Sequence, residues 1–332
     1  MTGWEKAAST NMFPNRRIAL AGLLGSAATA GLATRAPAQP PSPVEASPAP
    51  DEPPTKIDTG RDRYEHMLAP VGINGQGPFQ FLIDTGANTS CVSRQLADRL
   101  ALTAGLPTRV HTMVGVRERP SVIINRLDVG SRSRKSVRAP ALPFNTEGID
   151  GILGIDWLSG QRLILDFAAK TLEITRSRSE TSVEGRVLVP ARRRMGQLTI
   201  VDADLNGQRI SAMIDSGSQV TICNRPLRDL VVAQEVRRGG SVTHEKIGLE
   251  TLASESFTGE MLYLPFIRLG GLRLGNVPVA YADMHIFDIW DLNKSPAVVL
   301  GMDLLSQFDA VSMDFGRSNV RFDITESQRK RL

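Results

Sequence analysis

A short motif that carries one carboxylate occurs twice in this chain, and this duplication restricts the possible folds more than any other property. An apolar run leads into Asp-Thr-Gly at Phe81–Ala87 and into Asp-Ser-Gly at Ala212–Ser218. Each run is followed by a second apolar signature with Leu-Gly and then Asp, at Ile152–Asp156 and at Val299–Asp303. Because the parts come in the same order twice, the sequence predicts two copies of one structural unit.

The segments around these motifs predict mainly β structure in both units. A hairpin leads into the first motif, with its turn at Asn74-Gly75 or Gly77-Pro78, and Asn206-Gly207 marks the equivalent turn in the second unit. Short apolar strands separated by glycine turns make up most of the rest. Brief helices are expected at Arg94–Leu100 and at Asp303–Phe308.

The context of each Asp separates the two motifs from a chance tripeptide. An apolar strand places the Asp at the edge of a core, where loss of water disfavours its charge. The glycines Gly86 and Gly217 permit a tight turn and a close approach of the backbone. Gly154 and Gly301 suit a neighbouring strand that packs tightly against the Asp loop. A third tripeptide, Asp58–Gly60, has no apolar strand before it, and we interpret it as a turn in a linker.

At these residues the chain resembles the retropepsin-like aspartic peptidases, in a single-chain tandem form. The resemblance covers about residues 64–325 and rests on the two Asp motifs and the two Leu-Gly signatures. It implies two β lobes related by pseudo-two-fold symmetry, with a cleft between them. It further implies that Asp84 and Asp215 face each other as the catalytic pair, and that Thr85 and Ser216 lock the two loops together. The family uses no metal and no organic cofactor.

Two carboxyl groups about 3 Å apart cannot both ionise easily, so a pair of this kind shares one proton. The charged member would take a proton from water, and the acid member would protonate the substrate carbonyl oxygen. Ser218 follows Gly217, whereas Ala87 follows Gly86. Because a serine hydroxyl can bond the outer oxygen of the preceding Asp, we expect Asp215 to be the ionised partner and Asp84 the protonated one.

The family covers its cleft with β-hairpins, and the sequence offers one candidate in each unit. The first is Val110–Ile124 with a turn near Gly115, and the second lies within Glu250–Arg268. The segment Tyr281–Asp291 has no equivalent in the first unit, and we expect it to pack between the lobes rather than to face the substrate. No histidine shows the spacing of a metal ligand, so all four are interpreted as structural: His66, His111, His244 and His285.

The N-terminal residues have the composition of an export signal. Arg16-Arg17 precede a mildly apolar stretch, and Ala36–Ala38 fits the small-residue pattern of a cleavage site. The arginine pair favours the twin-arginine route, and an uncleaved membrane anchor is the alternative. A Pro-rich, disordered tether would follow. The predicted domains are 1–38 as signal, 39–63 as tether, 64–180 as the N-terminal lobe and 186–326 as the C-terminal lobe.

The charge of the chain does not indicate a nucleic-acid partner. The net charge is +4, but residues 1–38 carry most of this excess, and the remaining chain has 35 Lys and Arg against 34 Asp and Glu. The two cysteines, Cys91 and Cys223, are expected to be buried thiols rather than a disulfide. No stable insertion into a membrane is expected once the signal is removed.

The leading functional interpretation is therefore an exported, monomeric aspartic endopeptidase, periplasmic or secreted, that hydrolyses peptides or proteins. The principal alternative belongs to another class, an envelope module that keeps the fold and binds a peptide or glycan without cutting it. A scaffold tethered by an uncleaved N-terminus is the third hypothesis. The sequence alone leaves these alternatives open.

Overall fold

The computed structural model describes residues 54–62, 66–113, 115–144, 146–158, 160–194, 196–240, 245–252 and 255–324, together with the backbone of residues 18–20 and 23–24. Most of the predicted signal and tether therefore lies outside the described residues. Within them the protein is mainly β, with two lobes built on the same plan. The predicted fold class is confirmed.

The strands and helices follow one another in the same order in the two halves of the chain. The first half contains β1 (Ile18–Leu20), β2 (Leu23–Leu24), β3 (Thr55–Asp58), β4 (Gly60–Arg61), β5 (Met67–Ile73), β6 (Gln76–Ile83), β7 (Cys91–Ser93), α1 (Arg94–Arg99), β8 (Thr103–Thr112), β9 (Gly115–Val129), β10 (Arg132–Leu142), β11 (Gly151–Leu153), a 3-10 turn (Ile155–Trp157), β12 (Gln161–Asp166) and β13 (Thr171–Arg176).

The second half repeats this plan and adds one short helix before the strand of its Leu-Gly signature. It contains β14 (Arg186–Arg194), β15 (Gln197–Leu205), β16 (Gln208–Ile214), β17 (Ile222–Cys223), α2 (Arg225–Arg237), β18 (Glu245–Thr251), β19 (Ser256–Leu269), β20 (Leu272–Tyr281), α3 (His285–Ile289), β21 (Ala297–Leu300), α4 (Met302–Leu305), β22 (Ala310–Asp314) and β23 (Asn319–Asp323).

The strands of the two lobes occur in equivalent order within their sheets. The first lobe has the order β2-β8-β9-β10-β7-β11-β6-β5-β4, and the second has β1-β18-β19-β20-β17-β21-β16-β15-β14. In both lobes the strand that leads into the Asp motif pairs in parallel with the strand of the Leu-Gly signature, β6 with β11 and β16 with β21. This pairing brings the two signatures of each unit side by side.

A central sheet joins the lobes, with the order β3-β13-β12-β22-β23-β14. Its middle pair, β12 and β22, is antiparallel and carries the pseudo-two-fold axis near Ile164 and Ser312. Three strands from each half of the chain therefore complete one layer. Since the inward-facing side chains Leu163, Leu165 and Met313 are buried there, separation of the lobes would expose a large apolar surface.

One prediction about this region is wrong. Residues 55–61 were assigned to a disordered tether, with Asp58–Gly60 as a linker turn, but β3 pairs with β13 and β4 pairs with β5. The segment is the counterpart of β14, because β3 and β14 occupy the two outer positions of the central sheet. The first repeat therefore begins near Thr55 instead of residue 64, and Ile57 is buried in the core.

The other local predictions agree more closely with the structure. Helix α1 covers nearly the predicted range, with Ser93 as its N-cap. Helix α4 is shorter than expected and ends at Leu305. Both cysteines are buried, free thiols. Among the described residues, no helix has the length and apolarity needed to cross a bilayer.

Candidate active site

The carboxyl-bearing residues Asp84 and Asp215 stand at the ends of β6 and β16. The strands before them are buried, and each Asp continues the parallel pairing by one more bond. The backbone N–H of Asp84 donates to the carbonyl of Leu153 at 3.1 Å, and that of Asp215 donates to Leu300 at 3.0 Å. The two Asp side chains are almost completely buried. Equivalent positions in two lobes thus direct two carboxyl groups to the pseudo-two-fold axis.

The hydroxyl residues of the two loops hold the lobes in register. The N–H of Thr85 donates to Oγ of Ser216 at 3.1 Å, and the N–H of Ser216 donates to Oγ1 of Thr85 at 3.0 Å. Each hydroxyl in turn donates to a carbonyl of the opposite lobe, Thr85 to Ile214 at 3.1 Å and Ser216 to Ile83 at 2.8 Å. All four bonds are buried and cross between the lobes, which is the arrangement that the family resemblance implies.

The two carboxyl groups lie close enough together for the charge of one to act on the other. Their Oδ1 atoms accept N–H bonds from Gly86 and Gly217, both at 2.8 Å. Gly86 also packs against the opposite carboxyl, since a Cβ at this position would lie 2.5 Å from Oδ2 of Asp215. A side chain larger than hydrogen is therefore excluded at Gly86, and the turn fixes where each carboxyl points.

The two carboxyl groups differ in proton affinity. Burial raises the pKa of Asp84 well above its usual range, and the charge of Asp215 and the bond between the two groups raise it further. Burial also raises the pKa of Asp215, but only to about 6, because the bond from Asp84, the N–H of Gly217 and the positive charge of His66 favour its ionised form. In mildly acid solution the pair therefore holds one proton, mainly on Asp84.

The sequence of the chain matches a known protein family at these same regions. A family model described as aspartyl protease matches residues 69–157 and 201–304, which together make up more than half of the chain. This chain belongs to the aspartyl protease family. The two matched regions include the two Asp motifs and the two Leu-Gly signatures, so the duplication seen in the structure is also present in the family match. No curated protein matches the chain.

The structure differs from the sequence prediction at Ser218. The sequence predicted that its hydroxyl would bond the outer oxygen of Asp215 and so favour the charged form. Instead, Oγ of Ser218 donates to the carbonyl of Val220 at 2.7 Å, within its own turn. Asp215 still has the lower pKa of the pair. The predicted cause is therefore wrong, whereas the predicted direction agrees with the electrostatics of the site.

The glycines of the two Leu-Gly signatures pack against the Asp loops as predicted. A Cβ on Gly154 would lie 2.7 Å from the carbonyl oxygen of Ala87, and one on Gly301 would collide with the backbone of Val220. The signature strands thus support the loops from behind. Neither glycine carries a group that could take part in the chemistry, so their role is confined to close packing.

Sequence reasoning assigned no role to the Asp that ends each signature. Asp156 accepts the N–H and the hydroxyl of Ser90, and Asp303 accepts those of Thr221, at distances between 2.7 and 3.1 Å. The hydroxyls then accept the N–H of the signature glycines, at 3.0 and 3.1 Å. The available signal was the Gly-x-Asp pattern in both signatures, paired with a hydroxyl residue six positions after each motif Asp.

Each of the two long hairpins, β8–β9 and β18–β19, packs its tip into the opposite lobe. Met113 follows β8 in the first lobe but is buried in the apolar cluster of the second lobe, with Met213. Leu252 follows β18 in the second lobe but is buried in the cluster of the first, with Ala87. The two clusters also contain Val220 and Ala87, so each hairpin tip packs beside a loop that carries one Asp of the pair. The predicted hairpin with a turn near Gly115 is confirmed as a structural element.

The segment 281–291, which has no counterpart in the first lobe, contacts the first hairpin, in agreement with the predicted packing between the lobes. Trp290 is buried in the cluster that also contains Met113. His285 stacks on His111 of β8, with ring centroids 5.8 Å apart and planes within 8°. Burial lowers the pKa of His111, and the charges of His285 and Arg109 lower it further. Burial and these neighbouring charges therefore favour the uncharged form of His111.

A piece of the chain's own N-terminus pairs with both hairpins. β1 is parallel to β18, with Ile18 opposite Leu249 and Leu20 opposite Thr251. β2 is antiparallel to β8, with Leu24 opposite His111. Two short extended segments of the N-terminus therefore lie on the edges of the two hairpins. The two edges are capable of holding an extended peptide by main-chain hydrogen bonds.

Proposed function

We propose that this protein is an aspartic endopeptidase of the retropepsin-like, single-chain tandem type, with Asp84 and Asp215 as the catalytic pair. The observation that carries the proposal is the convergence of two buried carboxyl groups, close enough to act on each other electrostatically, from equivalent turns of two lobes. A structural role alone does not account for it, because burial of two neighbouring acids disfavours the charge of each and destabilises the folded state relative to apolar residues.

In the proposed reaction, the ionised Asp215 takes a proton from a water molecule held between the carboxyl groups. The water oxygen attacks the scissile carbonyl carbon while the protonated Asp84 donates its proton to the carbonyl oxygen. The resulting tetrahedral diol collapses when the leaving amine accepts a proton from the pair. The order of the two pKa values supports these roles. Asp215 loses its proton more readily than Asp84 and is therefore the ionised member, which can act as the base.

The substrate is proposed to be an extended peptide. The hairpin edges β8 and β18, in opposite lobes, already accept extended backbone from residues 23–24 and 18–20. Main-chain pairing at both edges favours unfolded polypeptide over a compact ligand, since each edge offers a ladder of N–H and C=O groups. The proposal includes export by the N-terminal signal to the periplasm or medium, and a monomer in which the two lobes act as an internal dimer.

The test is cleavage of a mixed peptide library by the chain that starts at Gln39, followed by mass spectrometry at mildly acid and neutral pH. We expect internal cleavage at acid pH, inhibition by a statine-type mimic of the tetrahedral diol, and loss of products in Asp84→Asn. A binding module would give no new peptide ends and would retain its ligand in Asp84→Asn. Release of single terminal residues only would contradict the assignment as an endopeptidase.

A further inference from the structure

His66 is a buried ionisable group at the edge of the catalytic pair. Its side chain is inaccessible to solvent. Asp62 holds it twice, with Oδ1 accepting the backbone N–H of His66 at 2.9 Å and Oδ2 lying 2.9 Å from the ring atom Nδ1. The Asp62 side chain is itself only 4% exposed. The carboxylate of Asp62 therefore fixes the position and the orientation of the imidazole ring.

The strand register places His66 beside the catalytic loop. His66 directly precedes β5, in which Leu68 is paired with Leu82 of β6. Since β6 ends one residue before Asp84, His66 lies at the same end of the β5–β6 hairpin as the carboxyl pair.

The pseudo-two-fold symmetry identifies what His66 faces. In the second lobe, Thr199 of β15 pairs with Met213, two residues before Asp215. The position equivalent to His66 is therefore Gln197. The amide of Gln197 crosses between the lobes and donates to Oδ1 of Asn88 at 2.7 Å. Asn88 lies four residues after Asp84, so the same geometry directs His66 toward the loop that follows Asp215.

The two halves of the site therefore differ in charge. Gln197, which is neutral, lies against the Asp84 loop, whereas His66 lies on the side of Asp215. The charge of His66 lowers the pKa of Asp215, in agreement with this placement. Three carboxyl groups are related to His66: Asp62 holds its ring, Asp84 ends the neighbouring strand, and Asp215 experiences its charge.

We propose that His66, held by Asp62, is a positioning residue that keeps the negative charge of the catalytic pair on Asp215 and the proton on Asp84. This inference rests on the proposed function, in that it assigns the base and the acid of that reaction. His66 does so from outside the pair, and the chain uses it in place of the Ser218 hydroxyl. The asymmetry of one histidine and one glutamine breaks the symmetry of the two lobes.

The experiment measures the carboxyl carbons of Asp84 and Asp215 directly, by 13C NMR of protein labelled at the aspartate side chain, as pH is varied. In His66→Gln, which copies the residue of the second lobe, we expect the lower apparent pKa of the pair to rise by about one unit, a tenfold gain in proton affinity. Arg126→Gln removes an exposed positive charge from the same lobe and should leave the titration unchanged. Equal titrations in wild type and His66→Gln would overturn the inference.

A charge swap provides the sharper form of the test. In the double variant His66→Gln with Gln197→His, the imidazole moves to the Asp84 side, and Asp84 should become the more acidic member. If His66→Gln fails to fold, Asp62→Asn removes the carboxylate that holds the ring and should shift the titration in the same direction as His66→Gln. An unchanged titration in the swap and in Asp62→Asn would also overturn the inference.

These titrations need no turnover. The inference about His66 can therefore fail while the chain still cleaves peptides, and it can hold in a chain that cleaves none. In an active enzyme the acid limb of kcat/KM should move with the lower pKa, so that His66→Gln loses about tenfold in kcat/KM below that limb and nothing at the plateau. A uniform loss at every pH would indicate a merely structural role for His66 and would contradict the inference.

Discussion

Thr85 and Ser216 bind each other reciprocally, the backbone N–H of each donating to the hydroxyl of the other, at 3.1 and 3.0 Å. The two residues belong to different lobes, and both are buried. Because of these bonds, the distance between the two carboxyl groups depends on how the lobes pack against each other. Any change at one hydroxyl leaves a buried donor or acceptor without a partner on the opposite lobe.

Thr85→Val keeps the shape of the side chain but removes its hydroxyl. The N–H of Ser216 and the carbonyl of Ile214 both lose a partner, and each unsatisfied buried group costs roughly 1–3 kcal/mol. We expect the free energy of unfolding, measured in urea, to fall by about that amount per group, which lowers the midpoint of the transition. Thr103→Val, on the exposed part of β8, is the matched control. Equal midpoints in the two variants would contradict the interlobe lock.

Gly86→Ala tests the close approach of the two loops. The added Cβ would lie 2.5 Å from the carboxyl of Asp215, so the loops must separate. Because displacement of reacting groups by about 1 Å can cost on the order of 100-fold in rate, we expect kcat to fall by at least that factor. Gly271→Ala, where a Cβ meets no atom within 4 Å, should leave kcat unchanged. Turnover near the wild-type value in Gly86→Ala would show that the geometry is wrong.

Asp303→Asn tests the dependence of stability on pH. Burial raises the pKa of Asp303 to about 6, against the bonds from Thr221 that favour its charge. A group whose pKa is higher in the folded state binds its proton more tightly there, so its contribution is complete below pH 4 and is lost as pH rises through about 6. We expect the free energy of unfolding of wild type to fall between pH 4.5 and 7.5 more steeply than that of Asp303→Asn. Identical slopes in urea titrations would contradict the raised pKa.

Removal of the N-terminal residues should release the hairpin edges. Residues 18–20 pair with β18 and residues 23–24 pair with β8, the edges proposed to hold substrate. The chain that starts at Gln39 should therefore turn over a peptide substrate faster than the full chain. A synthetic peptide of residues 18–24 should inhibit the shorter chain competitively, and a scrambled peptide of the same composition should inhibit it less. Equal rates for the two chains, with no inhibition, would show that the segment does not compete.

Most of the fold could be predicted because its signals are local and are repeated. The apolar runs before Asp84 and Asp215, the glycine turns and the Leu-Gly signatures each determine a structure within a few residues of sequence. Duplication adds an internal check, since each feature occurs twice in the sequence. The strand at Thr55–Asp58 was missed because its partner β13 lies more than a hundred residues later in the chain. Nothing in four residues beside a Pro-rich stretch indicates that pairing.

The site was predicted less completely, because side-chain direction and contacts between lobes are not written in local patterns. Ser218 could bond either to the Asp215 carboxyl or to a carbonyl of its own turn, and the turn geometry favours Val220. His66 stood alone in sequence, and the loop it faces belongs to the other lobe. Only the strand register and the equivalence of Gln197 reveal its place. The motif thus predicted the reacting pair, whereas the residues that tune it required the assembled structure.

The central claim is that Asp84 and Asp215 form a single reacting unit, and the most direct measurement compares kcat for Asp84→Asn, Asp215→Asn and the double variant on one peptide substrate. Groups that act as a unit are strongly non-additive. We therefore predict that each single variant loses on the order of 1,000-fold or more and that the double variant is no slower than either. Retention of wild-type turnover by either single variant, or losses that multiply in the double variant, would contradict a shared carboxyl pair.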